Sequence, residues 1–208
     1  MKPLSQCLLY GILDTGYLDI GQLVPTLHSL IQGGIDVVQF RAKKTVPEEI
    51  LTIASELAPI CRAAGVAFIL NDHPELVQQC GADGAHVGQE DYSVAEAREL
   101  AGSGAIIGKS THSLAQAVDS AAEAPDYIGF GPLFATPTKP DYNPIGTQQI
   151  RSVYEALDLP IFCIGGIKLS NLQEVIRSGA RRVVIVSDLL QALDPQAQTA
   201  ACKALLEP

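Results

Sequence analysis

The chain has few cationic residues, and this scarcity excludes a first class of partner. It contains 14 Lys and Arg against 23 Asp and Glu, with no basic cluster longer than Lys43-Lys44 or Arg181-Arg182. A protein that binds nucleic acid needs a basic face that neutralises phosphates. We therefore expect no nucleic acid partner, and we expect any anionic ligand to meet a few concentrated cations or a bound metal.

The sequence also lacks paired cysteines and long apolar runs. Its five cysteines are odd in number, widely spaced and without a C-x-x-C pair, so neither a disulfide framework nor a zinc site is predicted. No segment approaches the ~18 consecutive apolar residues of a membrane span, and no secretory leader is recognisable. We therefore expect no membrane partner and a cytoplasmic location.

What the sequence does contain is the balance of a globular protein. Apolar residues make up 47% and charged residues 18% of 208 residues. A chain of this length can build one sizeable core but not two ordinary ones. We predict a single domain over residues 1–208.

Short apolar runs alternate with longer amphipathic ones along the chain. Strands are predicted at 7–13, 35–40, 67–70, 84–87, 105–108, 127–130, 161–165 and 183–187. Helices are predicted at 22–32, 47–64, 74–80, 94–100, 114–123, 147–157, 169–178 and 194–206. Regular alternation implies parallel strands with helical crossovers. The predicted fold class is α/β, a single-domain (β/α)8 TIM barrel near its minimum size.

Glycines and polar residues distinguish the two faces of this barrel. Several helices end in glycine before the next strand, as in "QGGIDVV" and "AAGVAFI", which is typical of turns on the face away from the active site. The opposite face carries the loops that follow the strands, where barrels of this kind place their chemistry. The longest such loop, residues 131–146, holds "ATPTKP" and four prolines, and this length favours a functional role.

The second strand carries polar residues toward its end. Period-two alternation places Gln39, Arg41 and Lys43 on the face of Val37, which we predict to be the inward face. An apolar start and a cationic end fit a strand whose upper part lines an anion site. The alternative is that the two cations merely solvate a loop.

Acidic residues follow the next two strands. Asn71 and Asp72 come after the third strand, and Asp91 comes after the fourth. Neighbouring parallel strands end side by side, so the two aspartates are predicted to converge on one Mg²⁺, an ion held by one or two carboxylates plus substrate phosphates. The alternative for each aspartate is a helix N-cap. His86 is interpreted as a core imidazole with no role in the chemistry.

Two further loops contain candidate ligand groups. Ser110 follows the fifth strand and either contacts substrate or caps the next helix, whereas Lys109 and His112 are interpreted as peripheral. The glycines of "IGGI" at 164–167 close the seventh predicted strand, and "VSD" at 186–188 closes the eighth. Loops at these positions often bind phosphate through backbone N–H groups, although an ordinary turn is the alternative.

Taken together, seven motifs resemble the thiamine phosphate synthase family in order and spacing. They are "VVQFRAK", "LNDH", "GADGAHVGQED", "IIGKSTHS", "YIGFGPLFATPTKP", "CIGGI" and "VVIVSD". The resemblance implies a transferase that joins 4-amino-5-hydroxymethyl-2-methylpyrimidine diphosphate to a thiazole phosphate, giving thiamine phosphate and diphosphate. Its partners would be these two small molecules, and a homo-oligomer is left open.

The resemblance also implies a role for each matched residue. Diphosphate would be held by Arg41, Lys43, Asn71 and Lys139, and Mg²⁺ by Asp72 and Asp91. The pyrimidine would lie near Gln39 and Ser110. The thiazole phosphate would meet Thr136, Thr138, Gly166, Val186 and Ser187. Lys139, Arg41 and Ser110 are the residues to which catalysis is assigned.

Two alternatives and one departure accompany this assignment. A thiazole tautomerase shares the fold, but that family carries a histidine where this chain has Pro132. A catalytically silent thiamine phosphate-binding protein would gain little from the leaving-group residues. Asp188 departs from the family, in which a small residue is usual, and we predict that its carboxylate points away from the phosphate pocket as a residue of a helix start.

Overall fold

The computed structural model describes residues 1–136 and 143–207 and confirms the predicted barrel. Eight parallel strands pair in sequence order, and β8 closes onto β1. The strands are β1 (Leu9–Asp14), β2 (Val37–Arg41), β3 (Ala67–Asn71), β4 (Gly84–Val87), β5 (Ile106–Thr111), β6 (Tyr127–Phe130), β7 (Ile161–Cys163) and β8 (Val183–Ile185).

Helices connect these strands around the outside of the barrel. They are α1 (Ile20–Gln32), α2 (Pro47–Ala64), α3 (Val77–Cys80), α4 (Val94–Ala101), α5 (Leu114–Ala121), α6 (Ile150–Ala156), α7 (Leu169–Arg177), α8 (Ser187–Leu190) and α9 (Pro195–Leu206). Short 3₁₀ turns lie at Leu4–Gln6 and Pro74–Leu76. Gly65 and Gly81 end α2 and α3 in the left-handed conformation, at φ 70° and 73°, as expected for αβ turns.

The predicted elements all exist, but some of their bounds differ. The predicted helix at 74–80 is a 3₁₀ turn followed by the short α3. The predicted strand at 183–187 ends at Ile185, because Val186 leaves the sheet at φ −115° and ψ −89° and caps α8. The sequence did not indicate this end, because the β-branched run of β8 continues through Val186.

Two apolar cores hold the barrel together. The larger lies between the strands and the surrounding helices and includes Phe40, Leu57 and Phe130. The smaller fills the barrel interior and includes Tyr10, Tyr127, Phe162, Val37 and Ile69. Alternating side chains of each strand supply the two cores, so residues that follow the inward set in β2 reach the mouth of the barrel. In the described part of the chain, no helix has the length and apolar character needed to cross a membrane.

A partly buried charge cluster lies at the lower end of the barrel. Asp36, just before β2, accepts the Leu8 and Leu9 N–H groups at 2.7 and 3.0 Å, and it contacts the ammonium groups of Lys2 and Lys203. Burial by itself pushes the pKa of Asp36 upward, but the Lys203 ammonium and these N–H donors outweigh burial and hold the pKa below its ordinary value. The cluster therefore links residues near both ends of the chain to the sheet.

Candidate active site

A cavity opens at the carboxyl ends of the strands, as predicted for this fold. It encloses about 910 Å³ together with adjoining solvent. Eight residues that the sequence nominated line this one cavity. They are Gln39, Arg41, Asn71, Ser110, Thr136, Gly166, Val186 and Ser187. Residues from six separate positions of the barrel are thus brought to one mouth by parallel strands that all end on the same face.

Arg41 is oriented by an aspartate that the sequence analysis did not nominate. Asp14 ends β1, directly beside Arg41 in the sheet register, and its Oδ2 accepts Arg41 Nη1 at 2.6 Å. Asp14 is 1% exposed, and its other oxygen accepts the Gly16 N–H at 2.8 Å. The guanidinium is therefore held in place by a buried carboxylate while its side chain lines the cavity.

Three charged candidates among the described residues, Lys43, Asp72 and Asp91, lie outside the cavity lining. Lys43 contacts Oδ2 of Asp72, and Oδ2 of Asp91 accepts the Gly88 N–H at 2.7 Å. Asp72 has φ 62°, a left-handed conformation that costs free energy for a non-glycine residue and often accompanies function. Neither aspartate is a helix N-cap, because His73 and Ser93 occupy those positions.

Asp72 and Asp91 have the type of ligand atom that Mg²⁺ prefers, but they do not by themselves form a complete coordination shell. Among residues 1–136 and 143–207, no three His, Cys, Asp or Glu side chains are grouped to hold a metal. Mg²⁺ does not need such a group, since it is usually bound by one or two carboxylates while phosphates and waters complete its shell. Carboxylates such as those of Asp72 and Asp91 are thus of the chemical type that would hold an ion arriving with a phosphorylated substrate.

Below the mouth, five side chains form a continuous hydrogen-bonded chain. Gln39 Nε2 donates to Tyr10 Oη at 2.8 Å, and Tyr10 Oη lies 2.9 Å from Tyr127 Oη. His86 lies between Tyr127 Oη, 3.0 Å from Nδ1, and Ser110 Oγ, 2.8 Å from Nε2. Gln39, Tyr10 and Tyr127 are all at most 3% exposed. Two predicted substrate contacts are thus joined through the barrel interior.

The structure decides one alternative and corrects one interpretation in β5 and its loop. Ser110 lies within β5, and Ser113 is the N-cap of α5, so Ser110 does not cap that helix. His112 was interpreted as peripheral, which is wrong: it lines the cavity, and its Nδ1 lies 2.6 Å from the Gly131 carbonyl oxygen. Lys109 does point outward, where Nζ donates to the Tyr92 carbonyl at 3.0 Å.

Glycines shape the cavity wall that follows β7. Gly165 and Gly166 have φ 99° and 63°, which L side chains rarely adopt. A Cβ on Gly165 would lie 2.3 Å from Pro132 Cβ, and one on Gly166 would lie 2.7 Å from the Ala135 carbonyl oxygen. The segment is therefore packed backbone against backbone, which places main-chain groups rather than side chains at the cavity.

Asp188 points away from this wall, in agreement with the predicted orientation. Its Oδ2 accepts the Leu169 N–H at 2.8 Å and Gln198 Nε2 at 2.7 Å. It lies in the first turn of α8 and does not line the cavity. Thr138 and Lys139, the remaining nominated residues, lie outside the described residues.

Three site residues escaped the sequence analysis for different reasons. Asp14 ends an apolar run just as Asp72 follows one, so strand-end position was a usable signal. Tyr10 and Tyr127 stand in apolar strands, where a tyrosine is indistinguishable from ordinary core until its hydroxyl partners are known. Only the closure of the barrel brings these two rings together, at a centroid distance of 5.9 Å.

Comparison with known proteins assigns a family to this site. A family model described as thiamine monophosphate synthase matches residues 9–189. A thiamine-phosphate synthase of Gloeobacter violaceus is 41% identical over 179 residues, which are 86% of this chain and 52% of that protein. One from Shouchella clausii is 37% identical over 208 residues, all of this chain and 98% of that protein. The chain thus spans about half the length of some curated relatives and nearly all of others.

Solved structures support the same relationship. A thiamine phosphate pyrophosphorylase from Pyrococcus furiosus superposes with a TM-score of 0.88 at 26% identity, covering 99% of this chain and 98% of that one. A 3-hexulose-6-phosphate synthase superposes with a TM-score of 0.75 at 14% identity and covers 96% of this chain. The second likeness shows the shared barrel alone.

Proposed function

This chain belongs to the thiamine monophosphate synthase family, and on that basis we propose that it joins 4-amino-5-hydroxymethyl-2-methylpyrimidine diphosphate to a thiazole phosphate. The observation that carries the proposal is the convergence of eight family-matched residues on one cavity at the catalytic face of the barrel. The products are thiamine phosphate and diphosphate. Sequence positions far apart in the chain meet there because each lies at or just after the carboxyl end of a barrel strand.

The cationic side of the cavity suits the diphosphate. Arg41 is oriented by buried Asp14, and a guanidinium held in this way binds phosphate oxygens without first losing conformational freedom. Asn71 lies on the same lining at the end of β3. Lys43 would join them by exchanging its contact with Asp72 for one with a phosphate. We assign Lys139 to the same group from its sequence match.

The glycine-lined wall suits the thiazole phosphate. Gly166, Val186 and Ser187 line it together with Thr136. Positive φ values at Gly165 and Gly166 bring main-chain groups to the surface, and main-chain N–H groups bind phosphate without a full positive charge. A monophosphate is therefore accommodated in a protein whose formal net charge is −9.

Asp72 and Asp91 would hold Mg²⁺ at the diphosphate end of the site. When bound, the ion would neutralise charge on the leaving oxygens. Side chains of the protein would supply the remaining stabilisation of the departing diphosphate. Arg41, Lys43 and Lys139 would supply fixed positive charge where negative charge grows during departure of the diphosphate.

The reaction then needs positioning more than activation. The bond between the pyrimidine methylene carbon and the diphosphate oxygen breaks, and the diphosphate leaves with the electron pair. The lone pair of the thiazole nitrogen forms the new C–N bond, so the positive charge ends on the thiazolium ring. No protein nucleophile and no proton transfer are required. Holding both rings in one closed cavity supplies the effective concentration.

A two-substrate assay tests the proposal. We expect diphosphate release that requires both substrates and Mg²⁺, and we expect Arg41→Met to lower kcat by a factor of about 100 or more, because it removes charge acting on the leaving group. Arg98→Met, at a surface ion pair with Asp126, is the matched control and should leave turnover unchanged. Product binding without turnover, or isomerisation of the thiazole alone, would overturn the proposal.

A further inference from the structure

The hydrogen-bonded chain beneath the cavity has a direction that its chemistry determines. We call Gln39, Tyr10, Tyr127, His86 and Ser110 the polar relay. Its first bond is donated by Gln39 Nε2 to Tyr10 Oη. Tyr10 therefore directs its own proton to its other partner, Tyr127 Oη, 2.9 Å away. A hydroxyl has one proton to donate, so each link decides the next.

The direction continues through the imidazole. Tyr127 accepts from Tyr10 and donates to His86 Nδ1, 3.0 Å away. A neutral imidazole that accepts at Nδ1 carries its proton on Nε2. His86 therefore donates to Ser110 Oγ at 2.8 Å, and Ser110 keeps its own proton for a ligand. At the opposite end, one Nε2 proton of Gln39 is donated to Tyr10, which fixes the orientation of the amide and leaves Oε1 as its acceptor for a ligand.

Burial keeps this arrangement intact. Both tyrosines are 1% exposed, and burial raises the pKa of each well above its ordinary value, so both hydroxyls stay protonated. A Cβ on Gly108 would lie 2.1 Å from the Tyr127 ring, so this glycine is what admits the ring. Reversing the relay would require all five groups to change together, because half-reversed states leave two donors or two acceptors facing each other in the core.

We propose that the polar relay is the specificity device of the cavity, in which Tyr10, Tyr127 and His86 are positioning residues that present an acceptor at Gln39 and a donor at Ser110. This pair selects a ring with an exocyclic amino group and an unprotonated ring nitrogen. A pyrimidinone would bring an exocyclic oxygen and a ring N–H, which reverses both contacts. The relay thus selects the aminopyrimidine of the proposed substrate against its deaminated form, and the ligand named here rests on the proposed function.

The direction of the relay can be tested without any substrate. ¹⁵N NMR of histidine-labelled protein at about pH 8, above the ordinary histidine pKa of ~6.5, distinguishes the two neutral tautomers. We expect the His86 signal, assigned by its loss in His86→Gln, to be that of the Nε2–H tautomer. Tyr127→Phe should convert it to a mixture. An Nδ1–H tautomer in the unaltered protein would overturn the proposal.

Ligand selection is tested by calorimetric binding of two probes, the aminopyrimidine diphosphate and its 4-oxo analogue. Tyr127→Phe keeps the ring but breaks the relay, so the ratio of the two Kd values should fall by about tenfold or more. Tyr154→Phe is the matched control. Its hydroxyl donates to the Ile161 carbonyl at 2.6 Å, outside the cavity, so it should lose a buried hydrogen bond and keep the selectivity.

The outcomes separate this inference from the function on which it rests. An unchanged Kd ratio in folded Tyr127→Phe, or an equal change in Tyr154→Phe, overturns the relay while turnover of the unaltered protein still supports the transferase. If the unaltered protein binds the two probes with different Kd values and Tyr127→Phe removes that difference, the result supports the relay even without turnover. Failure to bind either probe overturns both. If Tyr127→Phe does not fold, Tyr10→Phe breaks the neighbouring link and makes the same prediction.

Discussion

At the scale of single residues, the pair of Asp14 and Arg41 shows how the site constrains stability. Asp14 is nearly inaccessible, and Arg41 supplies its only charged partner among the described contacts. A buried ion pair gives little net stability, whereas removing one partner leaves an uncompensated charge in the core. The arginine proposed to bind substrate therefore also neutralises the interior of the barrel.

This dual role predicts a specific stability effect. Arg41→Met should lower the free energy of unfolding by about 3 kcal/mol, since it leaves Asp14 buried without its counter-charge. Urea denaturation followed by circular dichroism measures the change. Adding Asp14→Asn to Arg41→Met should recover much of the loss, because the buried charge is gone. A double variant as unstable as the single one would contradict the mechanism, and Arg62→Met, at an exposed arginine, is the control.

Residue-level prediction from sequence succeeded where alternation applied. Gln39 and Arg41 were placed on the inward face of β2 from the period of two, and both line the cavity. Lys43 was placed on the same face, but β2 ends at Arg41 and Lys43 is not part of the lining. Alternation could not show which carboxylate orients Arg41, because Asp14 lies 27 residues earlier and only the register of β1 against β2 joins them. Roles assigned to Lys139 and Thr138 remain predictions.

At the scale of elements, the order of strands and helices was predictable and their ends were not. Glycine marked several αβ turns, and an apolar run marked the start of each following strand. The carboxyl ends of the strands have no comparable sequence signal. β5 continues through Lys109 and Ser110 to Thr111, whereas β8 ends at Ile185. β5 thus includes polar residues, whereas the apolar Val186 lies beyond the end of β8. Hydrogen bonding to the neighbouring strands, and not residue type, determines where each strand ends.

The junction of β5 and β6 depends on a missing side chain. Gly108 lies opposite Tyr127 in the parallel register, and a methyl group there would overlap the tyrosine ring. Gly108→Ala should therefore lower the free energy of unfolding by about 1–3 kcal/mol, the usual cost of overpacking, as measured by thermal denaturation. Gly104→Ala, where nothing lies within 4 Å, should change it little. Equal effects of both would show that Tyr127 does not need the space.

At the scale of the whole molecule, all five cysteines lie inside the fold. Burial raises the pKa of Cys7 to about 11 and those of Cys61, Cys163 and Cys202 to about 12; it also raises that of Cys80. Thiolate is the reactive form. We expect mass spectrometry to find no alkylation by iodoacetamide at pH 8 in native protein and five modified sites in urea. Rapid native labelling at any cysteine would show a locally open fold.

The Asp36 cluster makes the stability of the whole barrel dependent on pH. Because its pKa is lowered in the folded state, Asp36 stabilises the protein above its unfolded pKa of ~3.9 and loses this effect as the pH falls through the lower folded value. Asp36→Asn should cost about 3 kcal/mol at pH 7, with Lys203 left buried. The difference from the unaltered protein should shrink toward pH 2–3 in urea denaturation. A difference independent of pH would exclude this carboxylate as the source.

Lys2 and Lys203 both contact the Asp36 carboxylate, so the segments that contain them lie close together at the lower end of the barrel. A short flexible linker is enough to join them, and new termini can then be opened in an exposed connection on the same underside, such as the turn at 103–104. We expect such a circularly permuted chain to keep the strand pairing and the cavity. The fold of this barrel would then not depend on where the chain begins and ends.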